Sequence, residues 1–383
     1  MSHGNAAFTS VEICAGAGGQ ALGLEQAGFD HELLIELDAH ACATLRHNRP
    51  QWNVLECDLR VYVESEEALE LKGQIDLLAG GVPCPPFSLA GKQLGRDDER
   101  DLFPTMIKLA RQLEPRAIMI ENVRGLMQSK FDSYRQEIVE ELEQLGYKCD
   151  WKELQASDFG VSQLRPRSIL VAMVPECWEH FNRDTWYKPS EDQLPPQSVG
   201  ELLAKTMKDR GLRGKAFDDW FEKASKDIAP TLVGGSKKHG GADLGPSRAK
   251  KAWNDLGVCG LGVADEPDKN GETKNPIRDL GVGTNNGPML TVRQAAKIQG
   301  FNPDGEKEWE FKGRKTAAYR QVGNAFPPPV AKAVGLQIIA ALKAAMPFSI
   351  EKNDALFDLP APSTPVRAQL ADGGGDRECA SVG

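Results

Sequence analysis

Short apolar runs that end in glycine or in a reactive residue alternate with helical segments through the first 175 positions of this chain, and that alternation leaves few folds open. Residues 8–14 read as a strand and pass through Ala15-Gly16-Ala17-Gly18-Gly19 into a helix over residues 20–27. A second strand over residues 32–35 ends in Glu36-Leu37-Asp38, and a third strand end lies at Cys57-Asp58. Helices are expected over residues 101–113 and 133–145, each ahead of a further strand. This βα repetition predicts an α/β fold with a doubly wound, mostly parallel sheet, in which ligands gather at the carboxyl ends of the strands.

The glycine turn carries the first functional argument. Gly16, Gly18 and Gly19 let backbone approach a ligand closely, and the helix that follows offers free N–H groups to an anion. Tight strand-to-helix turns need glycine anyway, so the turn alone is a weak signal. The acid at Glu36, about 20 residues beyond it, is the usual kind of ribose-hydroxyl ligand in such folds, and Asp58 could reach an adenine edge. Together they predict a nucleoside-containing cofactor without separating a dinucleotide from S-adenosylmethionine.

A second argument comes from three later segments. The apolar run 75–79 leads into Gly80-Gly81-Val82-Pro83-Cys84-Pro85-Pro86, where prolines fix the backbone and hold one thiol in one direction. The run 117–120 ends in Glu121-Asn122-Val123. Gln163-Leu164-Arg165-Pro166-Arg167 precedes the run 168–174, and its two arginines leave one face of an extended segment. A buried inert thiol, a helix-start carboxylate and a solvated arginine edge are the bland readings of each part. In combination the three supply a nucleophile, an acid and cations at one sheet edge.

The ordered motifs closely resemble those of the DNA (cytosine-5)-methyltransferase family, in its bacterial single-chain form. They run from Glu12 to Gly19 through Glu36, Asp58, Pro83-Cys84, Asp98-x-Arg100-x-x-Phe103, Glu121-Asn122-Val123 and Gln163-x-Arg165-x-Arg167. They resume at Arg293-Gln294-Ala295-Ala296 and Gln321-Val322-Gly323-Asn324-Ala325. The resemblance implies S-adenosyl-L-methionine as cofactor, held by Cys14, Ala15, Gly16, Gly18, Gly19, Glu36, Asp58, Pro83, Asn324 and Ala325. It implies Cys84 as the nucleophile toward carbon 6 of a flipped cytosine, Glu121 as the group at N3, and Arg165 and Arg167 as orienting and charge-stabilising cations. Cys14 stands where the family usually carries an aromatic residue that packs on adenine. The resemblance further implies the S-adenosylmethionine-dependent methyltransferase fold, base flipping, sequence-specific DNA methylation in a restriction-modification system with a cognate endonuclease as system partner, a monomer, and a cytoplasmic setting.

The formal net charge of −9 speaks against a nucleic-acid partner unless a local exception exists. One does: residues 205–251 hold 12 Lys and Arg against 6 Asp and Glu. The segment 176–289 has many glycine turns and little apolar periodicity, with helices expected over residues 218–226 and 248–256. Family resemblance makes it a smaller, inserted target-recognition domain for duplex DNA. Its candidate DNA contacts are Ser236, Lys237, Lys238, His239, Arg248, Lys250 and Lys251, joined by Ser88 and Gln163. Residues 1–175 and 290–347 then form one catalytic domain from both chain ends, closed by an apolar helix over residues 328–345. Residues 348–383 are expected to be disordered, and residues 88–100 to act as a mobile cover.

Other classes are weighed down by the same residues. No apolar run approaches the roughly 20 residues needed to span a bilayer, and the polar start is no signal peptide. Eight cysteines show no Cys-x-x-Cys pairing, so no metal site is expected and reduced thiols are. An RNA cytosine-5 methyltransferase would use the same catalytic set, but the sizeable basic middle segment favours duplex DNA. A catalytically silent DNA-binding protein would not need Cys84, Glu121, Arg165 and Arg167 intact, and a nicotinamide oxidoreductase has no use for the Cys84 and Glu121 pair.

Overall fold

The computed structural model describes residues 8–83, 101–186, 188–189, 192–234, 242–268, 270–281, 283–284, 287–301 and 308–346. Cys84, Ser88, Ser236, Lys237, Lys238, His239, the expected cover at 88–100 and the tail 348–383 lie outside the described residues.

Strands β1 (Phe8–Ile13), β2 (Phe29–Glu36), β3 (Val54–Glu56), β4 (Leu77–Gly80), β5 (Ala117–Val123), β6 (Lys148–Gln155) and β7 (Pro166–Met173) form one sheet in the order β3-β2-β1-β4-β5-β7-β6. The first five pair in parallel, whereas β7 runs antiparallel to both neighbours. Chain order runs outward from β1 to β3 and then restarts at β4 on the other side of β1. A switch point of this kind opens a crevice at the carboxyl strand ends.

Among the described residues, fourteen α-helices accompany the sheet. Those of the first part are α1 (Gly19–Ala27), α2 (Ala39–Asn48), α3 (Leu59–Tyr62), α4 (Glu66–Glu70), α5 (Phe103–Leu113), α6 (Asp132–Gln144) and α7 (Pro175–Trp178). The middle segment adds α8 (Val199–Asp209), α9 (Gly214–Ala224), α10 (Ser247–Asp255) and α11 (Pro276–Leu280), and the return adds α12 (Val292–Gln299), α13 (Lys315–Asn324) and α14 (Pro328–Ala344). Side chains alternate across the sheet with the strand period of two. Val11, Ile13, Ile118, Ile120, Leu170 and Ala172 join the layer of α5 and α6. Leu77, Ala79, Ala117, Met119, Ile169 and Val171 join that of α1 and α14.

The returning helix packs on α1 closely enough to require glycine. A Cβ on Gly23 would stand 2.3 Å from the Pro328 carbonyl oxygen, so any side chain there pushes the two helices apart. Lys315–Ala344 is long and apolar enough to cross a bilayer by length and composition, which the sequence reading did not anticipate. The stretch breaks between Ala325 and Pro327, and 67% of its apolar window is buried against the protein, as in a core helix.

The middle segment is more helical than its glycine-rich sequence predicts. The expected helix over 218–226 is α9, displaced toward the amino end, and that over 248–256 is α10. Helix α8 was not foreseen, although Ser198 and Glu201 form a full capping box at its start. Val199, Leu203 and Met207 of α8 pack with Phe217, Trp220 and Ala224 of α9 and with Val292, Ala295 and Ile298 of α12, so this segment shares its core with the returning part of the chain. The fully buried side of that junction is braced by Arg210, which donates to the Met289 and Asp279 carbonyls and to Gln294 Oε1 at 2.7–3.1 Å.

Candidate active site

Residues at and just beyond the carboxyl ends of β1, β2, β4 and β5 meet the returning helix α13 around a cavity of about 260 Å³. Its wall includes Cys14, Ala15, Gly16, Gly19, Glu36, Gly81, Glu121, Asn324 and Ala325. The glycine turn is shaped by positive backbone angles: Gly18 at φ +83° caps α1, and Cys14, unusually for a side-chain-bearing residue, sits at φ +51°. Gly18 is packed under Leu45 and Trp309 rather than facing the cavity. Burial first, and then Glu36, Asp58 and Glu12 nearby, push the Cys14 thiol up to about 12, so it stays protonated.

Glu36 fastens the turn to the next strand end. Its Oε2 accepts the Gly16 N–H at 2.7 Å, and its Oε1 accepts those of Leu37 and Asp38 at 2.8 and 2.7 Å. Asp38 caps α2 by accepting the N–H groups of His40 and Ala41. Asp58 does not reach the cavity wall; it caps α3 and pairs with Arg60, which holds its carboxyl below the usual range. Pro83 lines a different, adjoining groove.

That groove, of about 800 Å³, runs between β5 and the middle segment. Pro83, Asn122, Val123, Gln128, Lys130, Arg167, Thr231, Val233 and Gly234 line it, and it shares Gly81, Glu121 and Asn324 with the first cavity. Asn122 fixes the strand end that leads to Cys84: its Nδ2 donates to the Val82 carbonyl at 2.9 Å, and its Oδ1 accepts the Val123 N–H. Gly81 stands close to Glu121, where an added Cβ would come within 3.2 Å of Oε2.

The antiparallel pairing of β7 explains how Arg167, 46 residues further along, meets Glu121. Arg167 at the start of β7 lies opposite Val123 at the end of β5, and Arg167 Nε reaches Glu121 Oε1 at 2.7 Å. The contact is an ion pair rather than an aligned hydrogen bond, because the Nε–H has no acceptor in line. Burial raises the Glu121 carboxyl above its ordinary value despite the opposing charges of Arg167 and Arg165.

Two expected site residues have other surroundings. Arg165 is fully buried and donates to the carbonyls of Leu232, Gly323 and Ala325 at 2.7–2.9 Å, so it braces the segments around Asn324 and does not line either cavity. Gln163, expected to touch DNA, is corrected: it is wholly buried, donating to Gln299 and accepting the Leu232 N–H. A polar side chain with both ends satisfied inside the protein has none left for a groove. In the middle segment Arg248 and Lys251 are exposed, while Lys250 is held by Asp243 at 2.8 Å.

Gln20, Ala317, Arg320 and Phe326 of the wall escaped sequence reading, and Glu12, Asp38 and Gln321 stood in its motifs without an assigned contact. Glu12 is 1% exposed with Oε2 lacking a hydrogen-bond partner among the described residues, and burial raises its carboxyl well above the ordinary value. The visible signal was an acid alternating with Val11 and Ile13 in an otherwise buried strand. For α13 it was the helical spacing of Ala317, Arg320, Gln321 and Asn324 on one face.

Sheet order, switch-point cavity and adjoining groove define an α/β enzyme with the methyltransferase fold. The family model for C-5 cytosine-specific DNA methylase matches residues 8–340, and the chain belongs to that family. It is 52% identical to the type II methyltransferase M.NgoMIV of Neisseria gonorrhoeae over 340 residues, covering 88% of this chain and 98% of that one. It is also 52% identical to the type II methyltransferase M.NaeI of Lentzea aerocolonigenes over 332 residues, covering 87% and 75%. Among solved structures, a putative DNA modification methyltransferase encoded within an Escherichia coli prophage superposes with TM-score 0.57 at 22% identity, over 88% and 99% of the chains, a likeness of fold. The protein is thus a DNA (cytosine-5)-methyltransferase, similar over most of its length to type II methyltransferases.

Proposed function

We propose that the 260 Å³ cavity takes S-adenosyl-L-methionine, that the adjoining groove takes a cytosine flipped from duplex DNA, and that Cys84 is the nucleophile. One observation carries this reading: the two cavities meet at the Glu121 carboxyl and at Gly81, three residues before Cys84. The wall residues fit such a cofactor. Glu36 lies where ribose hydroxyls would reach it, the backbone at Gly16 and Gly19 is open to close approach, and Glu12 keeps a buried carboxyl oxygen without a partner. When bound, the cofactor supplies an electrophilic methyl group on a sulfonium.

Carbon 5 of cytosine is too poor a nucleophile unaided. The Cys84 thiolate adds to carbon 6, and the ring electrons shift so that carbon 5 becomes enamine-like. Glu121, whose carboxyl burial raises above its ordinary value, donates a proton at N3 as the ring gains charge. Arg167 holds that carboxyl in place and offers positive charge beside it. Once carbon 5 carries the methyl group, loss of its proton to a base restores the double bond and expels the Cys84 sulfur. Carbon 6 is hidden in stacked duplex, so the base must leave the helix to be reached. Arg165 acts from behind, through the carbonyls that set Asn324 and Ala325.

The basic middle segment serves as the target-recognition domain, residues 176–289, inserted in a catalytic domain made of residues 1–175 and 290–347. The enzyme works as a cytoplasmic monomer, with a cognate restriction endonuclease as system partner. Expression in cells lacking cytosine methylation, followed by bisulfite sequencing, tests the reading: protected cytosines within one repeated short sequence support it, and methylation absent from DNA but present in transfer RNA overturns it.

A further inference from the structure

Among the described residues, the cavity wall holds four carboxyl groups, Glu12, Glu36, Asp38 and Glu121, and a single cation, Arg320. Its neighbours on α13 are committed elsewhere. Gln321 accepts the Thr44 hydroxyl at 2.6 Å and donates to the Lys312 carbonyl at 2.8 Å, and Asn324 lies against Gly234, whose added Cβ would fall 2.1 Å from Asn324 Oδ1. Arg320 forms no hydrogen bond or ion pair with any described residue, and its Nε is shut off from solvent without an acceptor. Cations that line acid-rich cavities normally pair with the acids. Here the four carboxyls have other duties or none, and the guanidinium stays open.

Such a group calls for an anion from the ligand. Across the cavity, α1 begins with no side-chain cap and no acid in its first turn, so its positive end is also left without a negative partner. S-adenosylmethionine contains one anion, the carboxylate of its amino-acid part. We propose that Arg320 is a cofactor-binding residue that clamps this carboxylate against the start of α1, a reading that rests on the cofactor assignment above. The fixed fork of a guanidinium suits a carboxylate. The acids on the other walls then face the sulfonium, ammonium and ribose, and the cavity sorts the ends of its ligand by charge.

Two nucleosides separate the clamp from the rest of the pocket: S-adenosylhomocysteine, which keeps the amino-acid carboxylate, and 5′-methylthioadenosine, which lacks it. Calorimetric titration of the full-length protein without DNA should show Arg320→Ala losing affinity for S-adenosylhomocysteine by about 10- to 100-fold. Its affinity for 5′-methylthioadenosine should be unchanged, and Arg320→Lys should fall between. Equal losses for both nucleosides, or none for either, overturn the clamp. No loss accompanied by weaker DNA binding also overturns it and transfers Arg320 to phosphate contact. If the wild-type protein binds neither nucleoside, the cofactor assignment itself fails, and the clamp with it.

Discussion

Arg167 approaches Glu121 to 2.7 Å with both side chains nearly enclosed, yet the Glu121 carboxyl titrates above its ordinary value. Burial raises it more than Arg167 and Arg165 together lower it. A carboxyl that binds its proton more tightly than usual beside a guanidinium is suited to donating a proton when a substrate atom becomes basic.

Removing Arg167 has a definite sign. Its charge favours the Glu121 anion, so Arg167→Ala should raise the Glu121 pKa further and extend the protonated form to higher pH. Single-turnover methylation should therefore show a lower maximum, with an alkaline limb shifted upward. Glu121→Gln should lower the rate by about 10²- to 10⁴-fold and remove that limb. A limb that moves down in Arg167→Ala would mean that the anion is the working form.

Cys84→Ser should lower methyl transfer by several orders of magnitude, since a serine hydroxyl has no accessible anion at neutral pH. Binding of S-adenosylhomocysteine should survive, because the cofactor wall is built by other residues. Duplex DNA with 5-fluorocytosine at the target should trap the wild-type protein, because fluorine cannot leave carbon 5 as a cation. Active enzyme without a denaturation-resistant adduct rejects the covalent mechanism.

Glu36→Ala should weaken S-adenosylmethionine binding by about 1–3 kcal/mol if the carboxylate accepts the ribose hydroxyls. Part of this loss has a structural source, since the same carboxylate accepts three backbone N–H groups. Glu36→Gln separates the two: it retains an acceptor oxygen but not the charge. Calorimetry showing unchanged affinity in both folded variants rejects the assignment. At the neighbouring Cys14, Cys14→Phe should leave affinity level or raise it, with the φ of +51° as the opposing strain.

His31 links the strand under the glycine turn to the helix above it. Its Nε2–H donates to the Ala21 carbonyl at 2.9 Å, which fixes the neutral tautomer, and Nδ1 accepts from the Ser10 hydroxyl at 2.8 Å. Burial lowers its pKa from 6.5 to about 4. Between those values the unfolded chain binds the proton and the folded one does not, so this contribution to stability is complete above pH 6.5 and is lost as pH falls toward 4. The loss should reach about 3 kcal/mol. Urea unfolding at pH 7, 5.5 and 4 should find the stability gap between wild type and His31→Gln closing as pH falls, and a constant gap rejects the account.

The parts of the site that were legible in sequence are those made by short-range geometry. The glycine turn, Glu36 at the next strand end and Glu121 at the end of β5 all follow from one βα rule, and each lines the cavity. Gln163 was misread because polar residues default to the surface, and its partners Leu232 and Gln299 are 69 and 136 residues away. Arg165 was hidden in the same way, its acceptors at Gly323 and Ala325 lying across the whole middle segment. Strand β6 is an edge strand, largely half-exposed, so its mixed sequence gave no apolar run to read. The antiparallel turn of β7 depends on that hairpin, which is why the pairing of Arg167 with Glu121 needed the structure.

The middle segment allows a test that separates affinity from specificity. Helix α10 starts beside the groove, where Gly245 lies against Val233 of the groove wall. Its exposed Arg248 and Lys251 are free to meet phosphates, while Lys250 is already paired with Asp243. Arg248→Ala and Lys251→Ala should each weaken binding to every DNA sequence and reduce the slope of log affinity against log salt by roughly 0.9. Lys250→Ala should leave that slope almost unchanged. The methylated sequence should stay the same in all three, because phosphate contacts carry no base identity. Fluorescence titrations across a salt series, paired with bisulfite mapping of each variant, measure both effects. An unaltered slope for Arg248→Ala and Lys251→Ala places them in solvent, and a changed target sequence makes them base readers.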